Sequence, residues 1–398
     1  MNKTTDSAGK VVIVTNYSFP DSAATANRVS TIANEIATEC NLDVVVVGPG
    51  PNEVMEGSIT KVPKNYDIVS VFSSAFSRNN LFLRAFGELR QAWDLLKAAK
   101  DENADVYIVS IPSIFLILAV VFLKSRPIIF DFRDLVWDYY IELGGLHTFA
   151  GTIMKSLLPS ILRRAKAITV TNSSEKRELS PLTRVPITIV GNGISQDHFE
   201  RLNLLKPPSQ CTPFVVLYIG NLGMAQNLET LLEAVGGDEQ FEINLIGSGA
   251  KADFLLDFVH QSEMTNVKFT GALQWSDTLV HIEQANCLYG QIGTSFNSAI
   301  PSKLYEYLSC SRPVVFGLPD GAAKNLFSDF EDISICTPNS PKELREKLLR
   351  LKHDAGIKTS SIQSNRNRIR QHHLRENQTK NLVTIVQSLV KKDIVRQL

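Results

Sequence analysis

Short, almost wholly apolar runs alternate along the chain with longer stretches of helical period. KVVIVTNYSF, from Lys10, is the first such run. TANRVSTIANEIATEC follows with Val29, Ile32, Ala33, Ile36 and Ala37 spaced along one helical face. LDVVVVGPG is a second buried run, ending in glycine and proline, and NLFLRAFGELRQAWDLLKAAK reads as a long amphipathic helix. DVYIVS, PIIFDFRD, AITVTN and TIVGNG read as further strands. Strands this apolar, alternating with helices, predict a parallel doubly wound sheet.

The pattern lapses over FERLNLLKPPSQCTP and then restarts. Strands FVVLYIG, FEINLIG, VKFTG, CLYGQI, PVVFG and DISICT are expected, with helices NLETLLEAVGG, AKADFLLDFVHQ, SDTLVHIEQA, PSKLYEYLSC and PKELREKLLRLKH. At 398 residues the chain exceeds one ordinary core. The predicted architecture is α/β: two doubly wound parallel-sheet domains, 1–198 and 214–365, facing each other across a cleft and joined by a linker at 199–213. Residues 366–398 are arginine-rich but carry apolar Leu374, Leu382, Ile385 and Leu389. They are predicted to form a helix that packs back on the N-terminal domain.

Composition changes this picture little. Hydrophobic residues make up 44% and charged residues 21%, and the formal net charge is zero, which argues against a nucleic-acid binder and leaves only local basic patches. Five cysteines, Cys40, Cys211, Cys287, Cys310 and Cys336, are scattered without a C-x-x-C or Cys/His cluster, as expected in a reducing compartment without disulfides or structural zinc. MNKTTDSAGK has no apolar core of a secretory signal, so a cytoplasmic protein is expected. In Val106–Pro127, the most apolar stretch, Ser110, Pro112 and Ser113 interrupt the run. What remains, Ile114–Leu123, is shorter than the ~20 residues of a spanning helix and reads as a buried or interfacial helix.

Candidate chemistry sits at the ends of predicted strands, where open parallel sheets bind ligands. In the second series these ends are glycine-bearing: YIGNLGMAQN, LIGSGA, FTGAL, IGTSFNSAIPSK and GLPDG. Glycines there either turn tight corners or let a ligand approach the backbone. LIGSGAKA fits G-x-G-x-x-A through Gly247, Gly249 and Ala252, but the next strand ends in Thr270 and Gly271 rather than an acid, against a dinucleotide site. In SFNSAIPSKLYEYLSC, Pro301 suits the first helical position and Lys303 falls in the first turn. A cation at the positive end of a helix dipole is out of place unless an anion joins it. Glu306, one turn on, suits vicinal hydroxyls such as those of a ribose; the plainer reading is an ordinary i,i+3 ion pair.

In the first series, DFRDLVWD places Asp131, Arg133, Asp134 and Asp138 around Trp137 at a strand end, as a cleft wall or as a structural Arg–Asp pair. TNYSFPDSAATANR offers Asn16, Tyr17, Ser22 and Thr25, for a ligand or for capping the next helix. No D-x-D, P-loop, H-E-x-x-H or G-x-S-x-G motif occurs, and the seven histidines lack ligand spacing. No metal site and no cofactor are expected.

Taken in order, VVIVTNYSFPDSAATANRVSTIANEIA, FDFRDLVWD, VGNGISQDHF, LYIGNLGMAQNLETLLEA, LIGSGAKADFL, VKFTGAL and IPSKLYEYLSCSRPVV resemble the retaining glycosyltransferases of family four, across nearly the whole chain. The closest look is to the subgroup that builds bacterial surface polysaccharides. The resemblance implies the GT-B fold, two facing Rossmann-like domains, and a nucleoside diphosphate sugar as donor, a UDP-sugar above others. Of the family's two glutamates separated by seven intervening residues, the second matches Glu306, implied to hold the donor ribose, and the first falls on Ser298. The arginine and lysine that many members place on the diphosphate fall on Asn221 and Gln226, which leaves Lys303 as their replacement. Asn16, Gly223, Gly247, Gly271, Leu273, Ser298 and Ser302 are implied to line the substrates, with Lys303, Arg133 and Asp134 as the catalytic residues, the last two through contacts on the acceptor side. Transfer would retain anomeric configuration without a metal, and the acceptor would be a glycan or a polyprenyl-diphosphate-linked sugar. Ile114–Leu123 with Arg366, Arg368, Arg370 and Arg375 would suit peripheral contact with the cytoplasmic face of an anionic inner membrane, or be core and solvated tail. A nucleotide-sugar epimerase and a non-catalytic homologue are the competing classes.

Overall fold

The computed structural model describes residues 9–16, 24–50, 65–71, 81–111, 113–135, 137, 146–206, 212–353 and 359–397. The chain divides into two compact units, the first comprising Met1–Asn192 and Arg375–Leu398 and the second Gly193–Leu374. The crossing falls before the expected boundary at 198. The return falls after the expected start of the tail at 366, and the helix Gln196–Asn203 occupies the first part of the expected linker.

Unit 1 holds strands β1 (Lys10–Val14), β2 (Asp43–Pro49), β3 (Asp67–Val71), β4 (Val106–Ile111), β5 (Ile128–Phe132), β6 (Ala167–Val170) and β7 (Ile187–Ile189). They form one sheet in the order β3-β2-β1-β4-β5-β6-β7, and every pairing is parallel. Alternate residues face opposite sides, the period-two rule of a strand. Val12, Val14, Val109, Phe130 and Ile168 pack under one helical layer, and Val11, Ile13, Val46, Ile108 and Ile129 under the other. Burial on both faces explains why these strands read as unbroken apolar runs. β3 was not legible in this way: DIVSV is half-exposed at the sheet edge, and Asp67 and Ser70 leave it no unbroken apolar run.

Unit 2 repeats the plan with β8 (Phe214–Ile219), β9 (Phe241–Ile246), β10 (Val267–Gly271), β11 (Cys287–Gln291), β12 (Val314–Gly317) and β13 (Ile333–Cys336). The order is β10-β9-β8-β11-β12-β13, again all parallel. In each sheet the chain runs outward from a central strand, then returns to that strand's other side. The two switch points lie between β1 and β4 and between β8 and β11, and the crevice at their carboxyl ends is where such sheets take ligands.

The tail forms two helices, Thr359–His372 and Arg375–Gln397. They are separated where Ile194 N–H donates to the carbonyl of His373 at 3.0 Å. The second helix buries Leu382, Val383, Val386 and Val390 in unit 1, in one cluster with Ile32 and Ile36 of the helix Ala24–Cys40.

The arginines of this tail have partners within the protein. Arg366 donates to the Ser309 carbonyl and to Ser311 Oγ, and Arg368 lies 3.8 Å from Asp329. Arg370 covers the ring of Phe199, and Arg375 is buried and donates to the Asn192 carbonyl. Ile114–Leu118 is a 3₁₀ segment that runs into a short helix, Ala119–Phe122, and Leu116, Ala119, Val120 and Leu123 are core. No helix among the described residues is long and apolar enough to cross a membrane.

Candidate active site

The loops that leave β8, β9, β10 and β11 are tied to one another through their backbones. Gly220 N–H donates to Ile246 O at 2.9 Å, Leu222 N–H to Ser248 O at 2.8 Å and Lys251 N–H to Leu222 O at 2.8 Å. Gly247 N–H reaches Gly271 O at 2.8 Å, and Gly293 N–H reaches Ala225 O at 2.7 Å. Glycine is required for this mesh at Gly247: its φ is +148°, and a Cβ would sit 1.8 Å from the Gly220 carbonyl oxygen. At Gly223 a Cβ would fall 2.5 Å from Asn221 Nδ2 and 2.9 Å from Gln226 Oε1. The two polar side chains at the positions of the family's arginine and lysine therefore crowd one glycine.

Gln291, at the end of β11, anchors the platform and was missed in the sequence. It is fully buried. Its Nε2 donates to the carbonyls of Gln226 and Asn227, to Thr230 Oγ1 and to Asn339 Oδ1, at 3.1 to 3.2 Å. Its Oε1 accepts from Asn339 N–H at 3.1 Å. One side chain thus holds the loops after β8 and β13 against β11. The available signal was a lone amide at the end of an otherwise apolar strand.

Beyond β11 the chain passes Ser298 and enters the helix Ser302–Ser309. Pro301 is its N-cap (φ −63°, ψ 124°) rather than its first residue, and no side chain caps it. The first N–H groups of a helix have no intrahelical acceptor, so the end of this helix presents donors and a positive dipole. Lys303 and Glu306 lie on the same face, and Nζ donates to Glu306 Oε2 at 2.9 Å. The pair is partly open, at 32% and 17% side-chain exposure, so an incoming ligand has access to both partners. The apolar side of the helix, Leu304, Tyr307 and Leu308, is core. Tyr307 Oη accepts from Ile219 N–H at 3.1 Å, which fixes the helix to the end of β8.

Unit 1 treats its charges differently. Arg28 and Asp131 are both buried. Arg28 Nε and Nη2 donate to the two carboxylate oxygens at 3.2 and 2.8 Å, and Arg28 Nη1 donates to Gly191 O at 2.9 Å. Thr169 Oγ1 donates to Asp131 at 2.6 Å. Burial pushes the Asp131 carboxyl up, but the charge and hydrogen bonds of Arg28 outweigh it and hold it below its usual range. The structural Arg–Asp pair considered for this loop exists, with Arg28 and not Arg133 as the arginine. Arg28 shares a helical stripe with Ile32 and Ile36, which was its sequence signal. Arg133 is buried and donates to Asn192 Oδ1 at 3.4 Å.

Asp134 is exposed. Surrounding protein raises its carboxyl and Arg133 opposes the shift, and access to water limits how far this can go. Asn16, two residues beyond β1, has its Oδ1 buried and without a hydrogen-bond partner among the described residues. Tyr17, Ser22, Asp138 and the side chain of Thr25 lie outside the described residues.

Glu175 is a further buried acid that sequence reading passed over. Asn172 caps the helix Ser173–Leu179 by accepting from Ser174 and Glu175 N–H. Glu175 turns back to accept from Thr171 N–H at 2.7 Å and Thr171 Oγ1 at 2.9 Å, a variant of the capping box. Burial, with Asp134 nearby, pushes its carboxyl up to about 8, against the hydrogen bonds from Thr171 and the charge of Arg28.

Residues 204–391 match the family described as Glycosyl transferases group 1. No curated protein sequence matches the chain. Solved structures match almost end to end. Sucrose-phosphate synthase from Thermosynechococcus elongatus superposes with a TM-score of 0.75 at 15% identity, covering 96% of this chain and 100% of that one. Anabaena HepE in complex with UDP-glucose gives 0.67 at 14% identity, covering 96% and 100%. WaaG, a glycosyltransferase involved in lipopolysaccharide biosynthesis, gives 0.67 at 12% identity, covering 94% and 99%. The chain has the GT-B fold, and residues 204–391 are similar to the group 1 glycosyltransferases. The match and the fold support glycosyl transfer as its reaction class.

Proposed function

We propose that the protein transfers a sugar from a nucleoside diphosphate donor, most simply a UDP-sugar, to a glycan or polyprenyl-diphosphate-linked acceptor in surface-polysaccharide synthesis, with retention at the anomeric carbon. The observation that carries this reading is Lys303 in the first turn of an uncapped helix at the β8/β11 switch point, with Glu306 one turn behind. A diphosphate brings negative charge to a helix end that already offers N–H donors and a lysine. In transfer, the same groups hold the charge that grows on the leaving diphosphate, and no metal is invoked. Glu306 then turns from Lys303 to the ribose hydroxyls, as an acceptor-only group. Asn221, Gln226, Gly223, Gly247, Gly271, Leu273, Ser298 and Ser302 complete the donor subsite. Asn16, Arg133 and Asp134 contribute to the acceptor side. Support comes from the structures of similar fold that hold UDP-glucose and that act in lipopolysaccharide synthesis.

A panel of UDP-, GDP- and TDP-sugars in a thermal-shift assay tests the reading, because a ligand that binds only the folded state raises apparent stability. The expected result is a rise with one nucleotide class, abolished in Lys303→Ala. Absence of any rise would overturn it. Ser298 in place of an acid favours a second reading, a homologue that binds nucleotide without transferring sugar. Release of free UDP only in the presence of an acceptor extract separates transfer from binding alone.

A further inference from the structure

At the switch point of unit 2 the sheet divides before its central strands end. β8 stays paired with β9 to its last residue, Ile219 opposite Ile246, and β11 stays paired with β12 as far as Gln291 opposite Gly317. Between β8 and β11 the register stops at Leu217 opposite Leu288. In a parallel ladder, successive residues of a strand turn their backbone groups to opposite neighbours. Val215 O accepts from Asn286 N–H on the β11 side, and Gly220 N–H donates to Ile246 O on the β9 side. Ile219 therefore turns both its N–H and its C=O toward β11, which has already diverged.

Buried backbone groups need partners. Tyr307, on the helix Ser302–Ser309, supplies both: its Oη accepts from Ile219 N–H at 3.1 Å and donates to Ile219 O at 3.3 Å. One phenolic hydroxyl replaces the missing rung of the ladder. Two further tyrosines hold the loop that follows. Tyr218 Oη donates to Asn221 O at 2.7 Å. Tyr289 Oη donates at a longer 3.4 Å to Gln291 Oε1, on the amide that holds the carbonyls of Gln226 and Asn227. All three tyrosines are buried. Phenylalanine would fill the same space without the cost of burying a hydroxyl, so what the hydroxyls add is the tie to this loop. Burial raises all three above the ordinary phenol range, which keeps them protonated and able to donate.

We infer that Tyr307 and Tyr218 are positioning residues of the donor subsite: their hydroxyls hold the free end of β8 and so set the helix that carries Lys303 and Glu306 against the loop that carries Asn221 and Gln226. The inference rests on the proposed function for what is bound there, a nucleoside diphosphate. Both tyrosines act through the backbone, at Ile219 and Asn221. Without these directional bonds, the spacing of helix and loop would be left to apolar packing, which has no direction of its own.

The test is calorimetry of UDP with the full chain, beside hydrogen exchange over residues 214–227. Tyr307→Phe and Tyr218→Phe, each checked by thermal melting, should weaken UDP binding roughly three- to tenfold. Tyr66→Phe removes a buried hydroxyl that bonds Ser30 in unit 1 at 2.8 Å, and it should leave UDP affinity unchanged. The Ile219 amide should exchange roughly tenfold faster in Tyr307→Phe. In a Lys303→Ala background Tyr307→Phe should cost less than it does alone, because the contact it places is already gone. Fully additive losses would overturn the inference, as would wild-type affinity in both folded phenylalanine variants. So would unchanged exchange at Ile219 in Tyr307→Phe, whatever UDP does. Wild type that binds UDP as tightly as its phenylalanine variants sinks only this inference. Wild type that binds no UDP sinks the donor reading, and with it the role given to the two hydroxyls.

Discussion

The carboxyl ends of the two sheets present the same topology and opposite chemistry. In unit 1 the ionisable groups are drawn inward: Arg28 and Asp131 are both buried and satisfy each other, and Glu175, which burial pushes toward its protonated form, is tied to Thr171. In unit 2 the loops are joined by backbone hydrogen bonds, the neutral amide of Gln291 and one mostly buried ion pair, Lys251–Glu229, while Lys303–Glu306 stays partly open. A crowd of charges at a strand end is therefore not in itself a binding site. What distinguishes the unit 2 site is a rigid, largely neutral platform with ionised groups left accessible on top of it.

The largest effect expected from this contrast is on stability. Arg28→Met leaves Asp131 as a buried carboxylate without its cation, which should cost about 3–5 kcal/mol. Urea unfolding should show the midpoint fall, or the protein fail to accumulate; a change within experimental error would mean that the pair is not structural.

Next is a pH effect from Glu175. Its carboxyl lies near 4.5 in an unfolded chain and at about 8 in the folded one. Between these values the folded protein holds a proton that the unfolded chain has released, so stability falls as pH rises through this window and levels off above it. Glu175→Gln keeps an acceptor for Thr171 and removes the titration. The variant should show a flatter stability profile from pH 5 to 8, and above pH 8 it should be the more stable protein by on the order of a few kcal/mol. Parallel profiles for the two proteins would contradict the assignment.

On the other side of the comparison, Lys303→Ala should barely move the melting temperature, since a partly exposed i,i+3 pair contributes about 0.2–0.5 kcal/mol. The smallest effect expected is on pyrophosphate: Glu306→Gln should bind it slightly more tightly, because Lys303 is freed from its internal partner. Titration calorimetry with pyrophosphate checks this, and weaker binding would mean that Glu306 supports the anion directly.

Much of this was legible in the sequence, for definable reasons. Central parallel strands buried on both faces leave unbroken apolar runs and could be read directly, whereas β3, an edge strand broken by Asp67 and Ser70, was missed. Lys303 and Glu306 were visible because local spacing alone puts them on one helical face. Arg28, Asp131 and Thr169 were not, because their partnership joins a helix to two strands across more than a hundred residues of sequence. The same holds for Gln291, whose partners lie on two distant loops. For the tail arginines, a local run of cations does not disclose that Arg366 and Arg370 also meet a carbonyl and a ring far along the chain.

The most direct test of the central claim is isothermal titration of UDP into wild type, Lys303→Ala and Glu306→Gln. If the helix Ser302–Ser309 receives a nucleoside diphosphate, wild type binds UDP. Loss of the lysine, a charge-assisted contact, should then weaken binding roughly ten- to a hundredfold. Loss of the Glu306 charge should weaken UDP binding by about tenfold. Unchanged affinity in both folded variants would contradict the account.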